Sequence, residues 1–162
     1  MLECNQVYGY LWCSEIDGKS SEIFRNRIIN HSHLYFIVVD SNDNVFGHYH
    51  NSVIDKIGGY IKDDKSFMFT LNSNGRCGVM KFNIKHDRAQ YATSLCSENS
   101  FYYNIGYGHD GDFWIGSFDE NGSVLKNISI TYEGITNTLL TGKDCSNGIY
   151  LTTKRLIVIE MN

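Results

Sequence analysis

The chain contains no proline among its 162 residues. Proline is the usual source of cis peptide bonds and of rigid turns, so the turns here must depend on Gly, Asn, Asp and Ser. The sequence also lacks an apolar run long enough to cross a bilayer and any block of lysine and arginine. These absences argue against membrane insertion and, with a net charge of −4, against nucleic acid as a partner.

The cysteines are few and widely spaced, and no two of them form a C-x-x-C pair: Cys4, Cys13, Cys77, Cys96 and Cys145. An odd and scattered set does not predict the disulfide framework of a small secreted domain. The first residues also lack the basic and apolar regions of a signal peptide, so we expect a cytoplasmic protein with free thiols. Only Cys77, next to Arg76, has the adjacent cation that favours a reactive thiol.

The composition is typical of one folded domain. Hydrophobic residues make up 42% of the chain and aromatic residues 14%, which is enough apolar surface to form a core. No internal repeat, low-complexity segment or linker interrupts the sequence. We therefore interpret residues 1–162 as a single domain.

Short apolar runs separated by polar turns predict antiparallel strands. Leu34–Val39 and Val45–His50 flank a polar turn and are typical of a β-hairpin, as are Ser66–Leu71 and Cys77–Ile84. Further strands are predicted at Gln90–Leu95, Phe101–Ile105, Asp112–Ser117, Ser123–Ile130, Ile149–Thr152 and Arg155–Glu160. The last of these strands is apolar on both faces, so we expect it in the interior of a sheet.

Two short helices are predicted beside these strands. Ser20 to Asn30 begins with a serine cap and places Ile23, Phe24 and Ile28 at a spacing that would pack against a sheet. Ser52 to Ile57 is the second, ended by two glycines. Many strands with few helices predict a mostly β (α+β) fold, a sandwich of two antiparallel sheets with one or two short flanking helices.

One ordered set of motifs extends along most of the chain: Trp12-Cys13-Ser14, Asp17-Gly18, the hairpin 34–49, the strand 66–72, Ile105-Gly106-Tyr107-Gly108, Phe113-Trp114-Ile115-Gly116 and the closing strand 156–160. In this order they resemble the TLDc domain, the module of the oxidation-resistance protein family, over residues 11–161. The resemblance implies a β-sandwich with helices at its margins. The chain departs from the family pattern in its short glycine segment and in Met161, which follows Glu160 where an aromatic residue would be expected.

The resemblance implies a non-catalytic interaction module of an oxidative-stress-resistance protein, without a cofactor. Its implied partner is the vacuolar-type proton ATPase, through the subunits of its peripheral sector. A directly stress-protective enzyme or a thiol-based peroxide scavenger is the alternative, and a divergent copy that binds another protein is a third possibility. The sequence contains no nucleophile elbow or family-specific cysteine motif that would favour the enzyme.

Two histidines and one acidic segment could suggest metal binding. His48 and His50 share a face of a predicted strand, and His31 and His33 could complete a zinc or copper site. No cysteine or carboxylate stands beside them at ligand spacing, and a hairpin strand commonly shows histidine to solvent. The segment 109–112 begins like a calcium loop but continues into an apolar strand. We therefore predict no metal site.

Residues in or beside turns are the candidate contacts for a protein partner, because a rigid scaffold commonly displays functional groups there. They are Asp17, Gly18, Lys19, His48, His50, Tyr107 and His109. Glu22, in the early helix, and Glu160, in the closing strand, are possible functional carboxylates. A solvent-facing or salt-bridged role is the simpler interpretation of both.

Overall fold

The computed structural model describes residues 9–99, 101–106 and 111–161. Its strands are β1 (Tyr10–Cys13), β2 (Leu34–Asp40), β3 (Val45–His50), β4 (Phe67–Asn72), β5 (Met80–Asn83), β6 (Ser94–Leu95), β7 (Tyr103–Ile105), β8 (Phe113–Ile115), β9 (Ser123–Leu125), β10 (Ile149–Leu151) and β11 (Thr153–Glu160). The helix α1 covers Ser21–Ile28, and two 3₁₀ helices cover His86–Tyr91 and Ile128–Ile130.

The strands form two antiparallel sheets. The larger sheet has the order β1-β11-β2-β3-β4-β5, and the smaller has the order β10-β9-β8-β7-β6. One cluster of buried side chains includes residues of both sheets, such as Phe36 of β2, Leu156 of β11 and Phe113 of β8. This arrangement confirms the predicted sandwich of two antiparallel sheets.

The predicted hairpin of β2 and β3 depends on the carboxylate of Asp40. Its Oδ1 accepts from the backbone N–H groups of Asn42 and Asn44, each at 2.9 Å, and its Oδ2 accepts from Asn44 Nδ2 at 2.8 Å. Asp43 supplies a positive φ of 60° in the same turn. A turn without proline is thus fixed by side chains that mimic backbone hydrogen bonds.

The closing strand β11 lies between β1 and β2, and it pairs with both. Leu156 and Val158 face the core, whereas Ile157 belongs to a separate small cluster on the other side of the sheet. The predicted interior position of this strand is confirmed, and its two apolar faces correspond to two different environments.

The helix α1 lies at the margin of the core, as predicted. The Ser20 hydroxyl caps it by accepting from Ile23 N at 3.3 Å. Phe24 and Ile28 are fully buried, and the Phe24 ring meets that of Trp12 with centroids 5.1 Å apart. The packing predicted for Ile23 is wrong, because this side chain is 44% exposed.

Other boundaries also differ from the predicted ones. Ser52 to Ile57 contains no helix; Ile54 alone is buried there, and its N–H donates to the carbonyl of His31 at 2.9 Å. The segment Gln90–Leu95, predicted as one strand, begins inside a 3₁₀ helix, and only its last two residues form a strand, β6. Strand β1 was not predicted. No helix in the described ranges has the length and hydropathy needed to cross a membrane.

Candidate interaction surface

The six-stranded sheet carries apolar side chains on its outer face as well as on its core face. In β2, Phe36 and Val38 are fully buried, while Tyr35 and Ile37 alternate with them and are half-buried on the outer face. An antiparallel sheet with one face in solvent usually shows polar residues on that face. The outer face of this sheet therefore differs from an ordinary solvated surface.

Four aromatic side chains form a connected cluster on the outer face: Tyr35, Tyr49, Phe67 and Phe69. The ring centroids of Tyr35 and Tyr49 are 4.7 Å apart, and those of Tyr49 and Phe67 are 4.8 Å apart. The ring of Phe69 lies 5.9 Å from that of Tyr35. Such contacts hold large apolar rings in fixed positions at the surface.

Gly47 lies in the middle of this face, beneath the ring of Phe69. A Cβ at this position would lie 1.9 Å from the carbonyl oxygen of Phe36 and 2.8 Å from Cζ of Phe69. Because glycine has no side chain, the Phe69 ring occupies the space above β3. A ring from β4 consequently covers the outer face of β3 at this position.

A groove of about 440 Å³ opens on the outer face, and we call it the outer-face groove. It extends from Ile159 of β11 and Ile37 of β2 to Leu71 of β4 and Met80 of β5. Val79, at its rim, is 73% exposed, the highest value among the large hydrophobic side chains that are exposed in the described chain. Contiguous exposed apolar surface of this kind marks interaction sites in soluble proteins.

Lys81 is the single charged residue among the ten that line the outer-face groove. Its Nζ lies 4.1 Å from the centroid of the Phe67 ring, within the range of a cation–π contact. The groove thus combines an apolar floor with one positive charge at its β5 side.

Three of the predicted contact residues lie in the turn at residues 17–19, and not all of their side chains can contact a partner. Asp17 accepts hydrogen bonds from the hydroxyl of Tyr10 and from Cys13 N, the latter at 2.9 Å, so its carboxylate holds its own turn. Gly18 has a φ of 82° and open space around its Cα. Lys19 is exposed. Tyr107 and His109 lie outside the described residues.

His48 and His50 are not surface residues. They share one face of β3, as predicted, but that face looks into the core and both side chains are fully buried. The placement of these two histidines among the partner contacts is therefore wrong. The physical reason is that the second sheet covers this face of β3: the His48 ring lies 5.2 Å, between centroids, from the ring of Tyr103 in β7.

One hydroxyl joins the two buried imidazoles. Thr93 Oγ1 lies 3.1 Å from His48 Nε2 and 3.0 Å from His50 Nδ1. The carboxylate of Asp63 is 3.6 Å from His50 Nδ1. Within the described ranges no three His, Cys, Asp or Glu side chains are grouped closely enough to hold a metal ion.

Burial determines the charge of these imidazoles. It lowers the pKa of His48 well below the ordinary value, with a further lowering from the nearby His50. Burial also lowers the pKa of His50 to about 4, although the Asp63 carboxylate opposes the shift. Both rings are therefore neutral at neutral pH and belong to the structural core.

The two candidate carboxylates, Glu160 and Glu22, have different structural roles. Glu160 Oε2 lies 3.1 Å from His31 Nδ1, and its Oε1 accepts from Ser32 N at 3.4 Å, so it connects β11 to the segment after α1. Glu22 is exposed in the first turn of α1, where a negative charge is favourable to the helix dipole. These contacts match the salt-bridged and solvent-facing interpretation.

The described cysteines are free thiols that differ in how far they are covered. Cys13 and Cys145 are buried. Burial raises the pKa of Cys96 to about 11, with Glu98 adding to the shift. Cys77 lies 3.4 Å from the Ser73 hydroxyl. A protonated thiol is a poor nucleophile, so Cys96 lacks the property that a peroxide scavenger requires.

The outer-face groove was missed at the level of sequence. The only signal for it is that the strands near 34–39, 67–71 and 156–159 are apolar at consecutive positions instead of alternate ones. Such runs predict strands buried on both faces. Among the described residues, the second sheet covers one face and the groove lies on the other.

Comparison with known proteins gives one result that agrees with this architecture. No curated protein matches the sequence significantly. The sequence model of the TLDc domain matches residues 6–150, which is most of the chain and includes every described strand up to β9. The match confirms the resemblance carried by the ordered motifs, and the chain belongs to the TLDc domain family.

Proposed function

We propose that this chain is a non-catalytic interaction module of an oxidative-stress-resistance protein, and that it acts in the cytoplasm through peripheral subunits of a vacuolar-type proton ATPase. Membership of the TLDc family supports this role, since the family resemblance implies that partner. The observation that carries the interaction role is the outer-face groove, an exposed apolar surface on a rigid sheet.

The energetics favour a partner on this face. Leu71 and Met80 are each 43% exposed at the groove, and Val79 is more exposed still. Complete burial of a fully exposed side chain of this kind contributes about 1.5–3 kcal/mol, so side chains that are already more than half covered contribute roughly half of that on docking. The aromatic cluster beneath is already ordered, so docking requires little further loss of side-chain freedom.

The turn at residues 17–19 provides a second contact area in this proposal. Gly18 and Lys19 lie next to one another at the surface, and Tyr107 and His109 remain candidates by sequence. Asp17 is excluded from charge-reversal tests because its carboxylate holds the turn. Lys19→Glu is therefore the cleaner variant for this area.

The test is affinity capture of the tagged full chain from a lysate of its own source, with and without ATP, followed by mass spectrometry. We expect peripheral proton-ATPase subunits to be enriched with the unmodified chain and lost with Val79→Asp. Val53→Asp is the matched control, because Val53 is 50% exposed and does not line the groove. A different reproducible partner, or none, would contradict the proposed ATPase role.

The enzyme alternative has its own test. The purified chain is mixed with hydrogen peroxide, and peroxide consumption is compared with that of Cys96→Ser and Cys77→Ser. The non-catalytic role predicts no cysteine-dependent consumption, and for Cys96 the physical reason is that burial keeps its thiol protonated at neutral pH. A rate that falls with either substitution would favour the thiol-based scavenger instead.

A further inference from the structure

We propose that the outer-face groove binds an amphipathic α-helix of the partner, which packs its apolar side on the groove and places a carboxylate beside Lys81. This inference rests on the proposed interaction role. It adds the chemistry and the secondary structure of the segment that is bound.

The lining of the groove decides between a helix and an extended peptide. Apart from the hydroxyl of Tyr35 and the ammonium of Lys81, the ten lining side chains carry no oxygen or nitrogen. An extended peptide lying on this face would bury backbone N–H and C=O groups without partners, which is costly. A helix satisfies these groups internally, so it can lie on an apolar face.

The shape of the face suits one helix. The residues that line the groove lie on both sides of β3, with Ile37 and Ile159 on one side and Leu71 and Met80 on the other. Apolar residues at positions i, i+3, i+4 and i+7 of a helix form a stripe that can lie along such a groove. The flexible side chains of Met80 and Met161 at the rim can adapt to the helix that binds.

The charge of the groove predicts the sign of the charge that the bound helix carries on its flank. The whole chain has a net charge of −4, yet the one charged side chain in the groove is a lysine. Docking removes water from Lys81, whose Nζ already lies against the Phe67 ring. A carboxylate on the flank of the helix would compensate this loss, whereas a second cation there would be repelled.

The experiment uses three synthetic 16-residue peptides and the full chain. The first peptide carries leucine at i, i+3, i+4 and i+7 with glutamate on one flank; the second has lysine in place of the glutamates; the third has the composition of the first in scrambled order. Binding is measured by fluorescence anisotropy. We expect the glutamate peptide to bind at least tenfold more tightly than the scrambled one and several-fold more tightly than the lysine one.

Matched variants locate the site. Val79→Asp should abolish binding of the glutamate peptide, whereas Val53→Asp should leave it unchanged. Lys81→Glu should reverse the preference between the glutamate and lysine peptides, and the control Lys62→Glu, at an exposed position outside the groove, should not. Circular dichroism and thermal melting verify that each variant is folded. A variant that fails to fold is replaced by Leu71→Asp or Lys81→Ala.

Four outcomes would overturn the inference. They are equal binding of ordered and scrambled peptides, loss of binding with Val53→Asp, a dimer in light scattering that Val79→Asp dissociates, and a gain in affinity on deletion of residues 1–8. The last two would assign the groove to a second copy or to the chain's own segment. ATPase capture that survives Val79→Asp refutes the groove as the contact site, and the helix with it, but leaves the proposed partner standing. Helix binding without ATPase capture refutes the proposed partner alone.

Discussion

The ring of Phe69 lies over Gly47 on the outer face, with its Cζ 2.8 Å from where a Cβ of residue 47 would be. The two residues belong to adjacent strands, which pair them in register. One position without a side chain therefore allows an aromatic ring to cover the backbone of β3. Phe69, whose position over β3 this pair allows, also lines the outer-face groove.

Gly47→Ala should lower the free energy of unfolding by about 3 kcal/mol. The new methyl group would meet the carbonyl oxygen of Phe36, which is backbone and cannot move aside without separating β2 from β3. Urea denaturation measures the change. Gly78→Ala is the matched control, since nothing lies within 4 Å of a Cβ at that position. Equal stability of the two variants would show that β2 and β3 can separate at no cost.

The buried histidines should make stability depend on pH. The pKa of His50 is lowered to about 4, and that of His48 is lowered in the same direction. Protonation is therefore easier in the unfolded chain, and for His50 the unfolded chain binds more protons than the native state between about pH 4 and about 6.5. The stability that His50 contributes is fully present above pH 6.5 and falls as the pH decreases toward 4, by up to about 1.4 kcal/mol per pH unit, and His48 acts in the same direction.

Urea denaturation at a series of pH values between 7 and 4 tests this prediction. His50→Gln should reduce the dependence on pH over that interval, because the amide does not titrate. His86→Gln, the same substitution at an exposed position, is the control. A pH profile of His50→Gln that is identical to that of the unmodified chain would contradict the assignment.

Arg25 should contribute strongly to the free energy of unfolding, because its hydrogen bonds connect α1 to the loop after β6. Its guanidinium donates to the carbonyls of Cys96 at 3.3 Å and Glu98 at 3.0 Å, and to Asn99 Oδ1 at 2.9 Å. Arg25→Met should cost about 1–3 kcal/mol, since it leaves these acceptors without their donor.

Arg27→Met provides the comparison on the same helix. Arg27 is 55% exposed and lies 3.7 Å from Asp17, so its loss should change stability by about 0.5 kcal/mol or less. Guanidinium denaturation measures both variants. Hydrogen exchange at residues 96–99 should accelerate in Arg25→Met only. Similar exchange rates in the two variants would show that Arg25 does not hold this loop against α1.

Deletion of residues 155–162 should abolish folded protein. The deletion removes most of β11 and leaves β1 and β2 without the strand that joins them. Buried Leu156 and Val158 are lost from the core at the same time. Solubility and a thermal melt followed by circular dichroism are the measurements, with removal of Asn162 alone as the control. A cooperative transition in the truncated chain would contradict the prediction.

Short sequence patterns correctly predicted the elements that are stabilised by contacts between residues close together in the chain. Ser20 caps α1 through a hydrogen bond to a residue three positions away, and Asp40 fixes the β2–β3 turn within four positions. Both elements were predicted with bounds close to the observed ones. The segment 52–57 has no such cap, and its apolar spacing was too short to determine a helix.

The candidate site could be predicted much less well, because distant residues determine it. Whether His48 faces solvent or core depends on the second sheet and on Thr93, which is 45 positions away in the chain. The outer-face groove likewise combines β2, β4, β5 and β11. Period-two patterns identify the two faces of a strand but do not indicate which face another sheet covers.

The position of β11 also has a consequence for synthesis on the ribosome. Strand β2 ends at Asp40, and its neighbour β11 begins at Thr153. At ordinary translation rates, roughly six to twenty seconds separate these two strands as the chain is made. Throughout that interval the edges of β1 and β2 have no partner between them, and such edges recruit strands of other chains. Nascent copies on neighbouring ribosomes are therefore the most exposed to mispairing, and chaperones that hold this edge should raise the yield of folded protein.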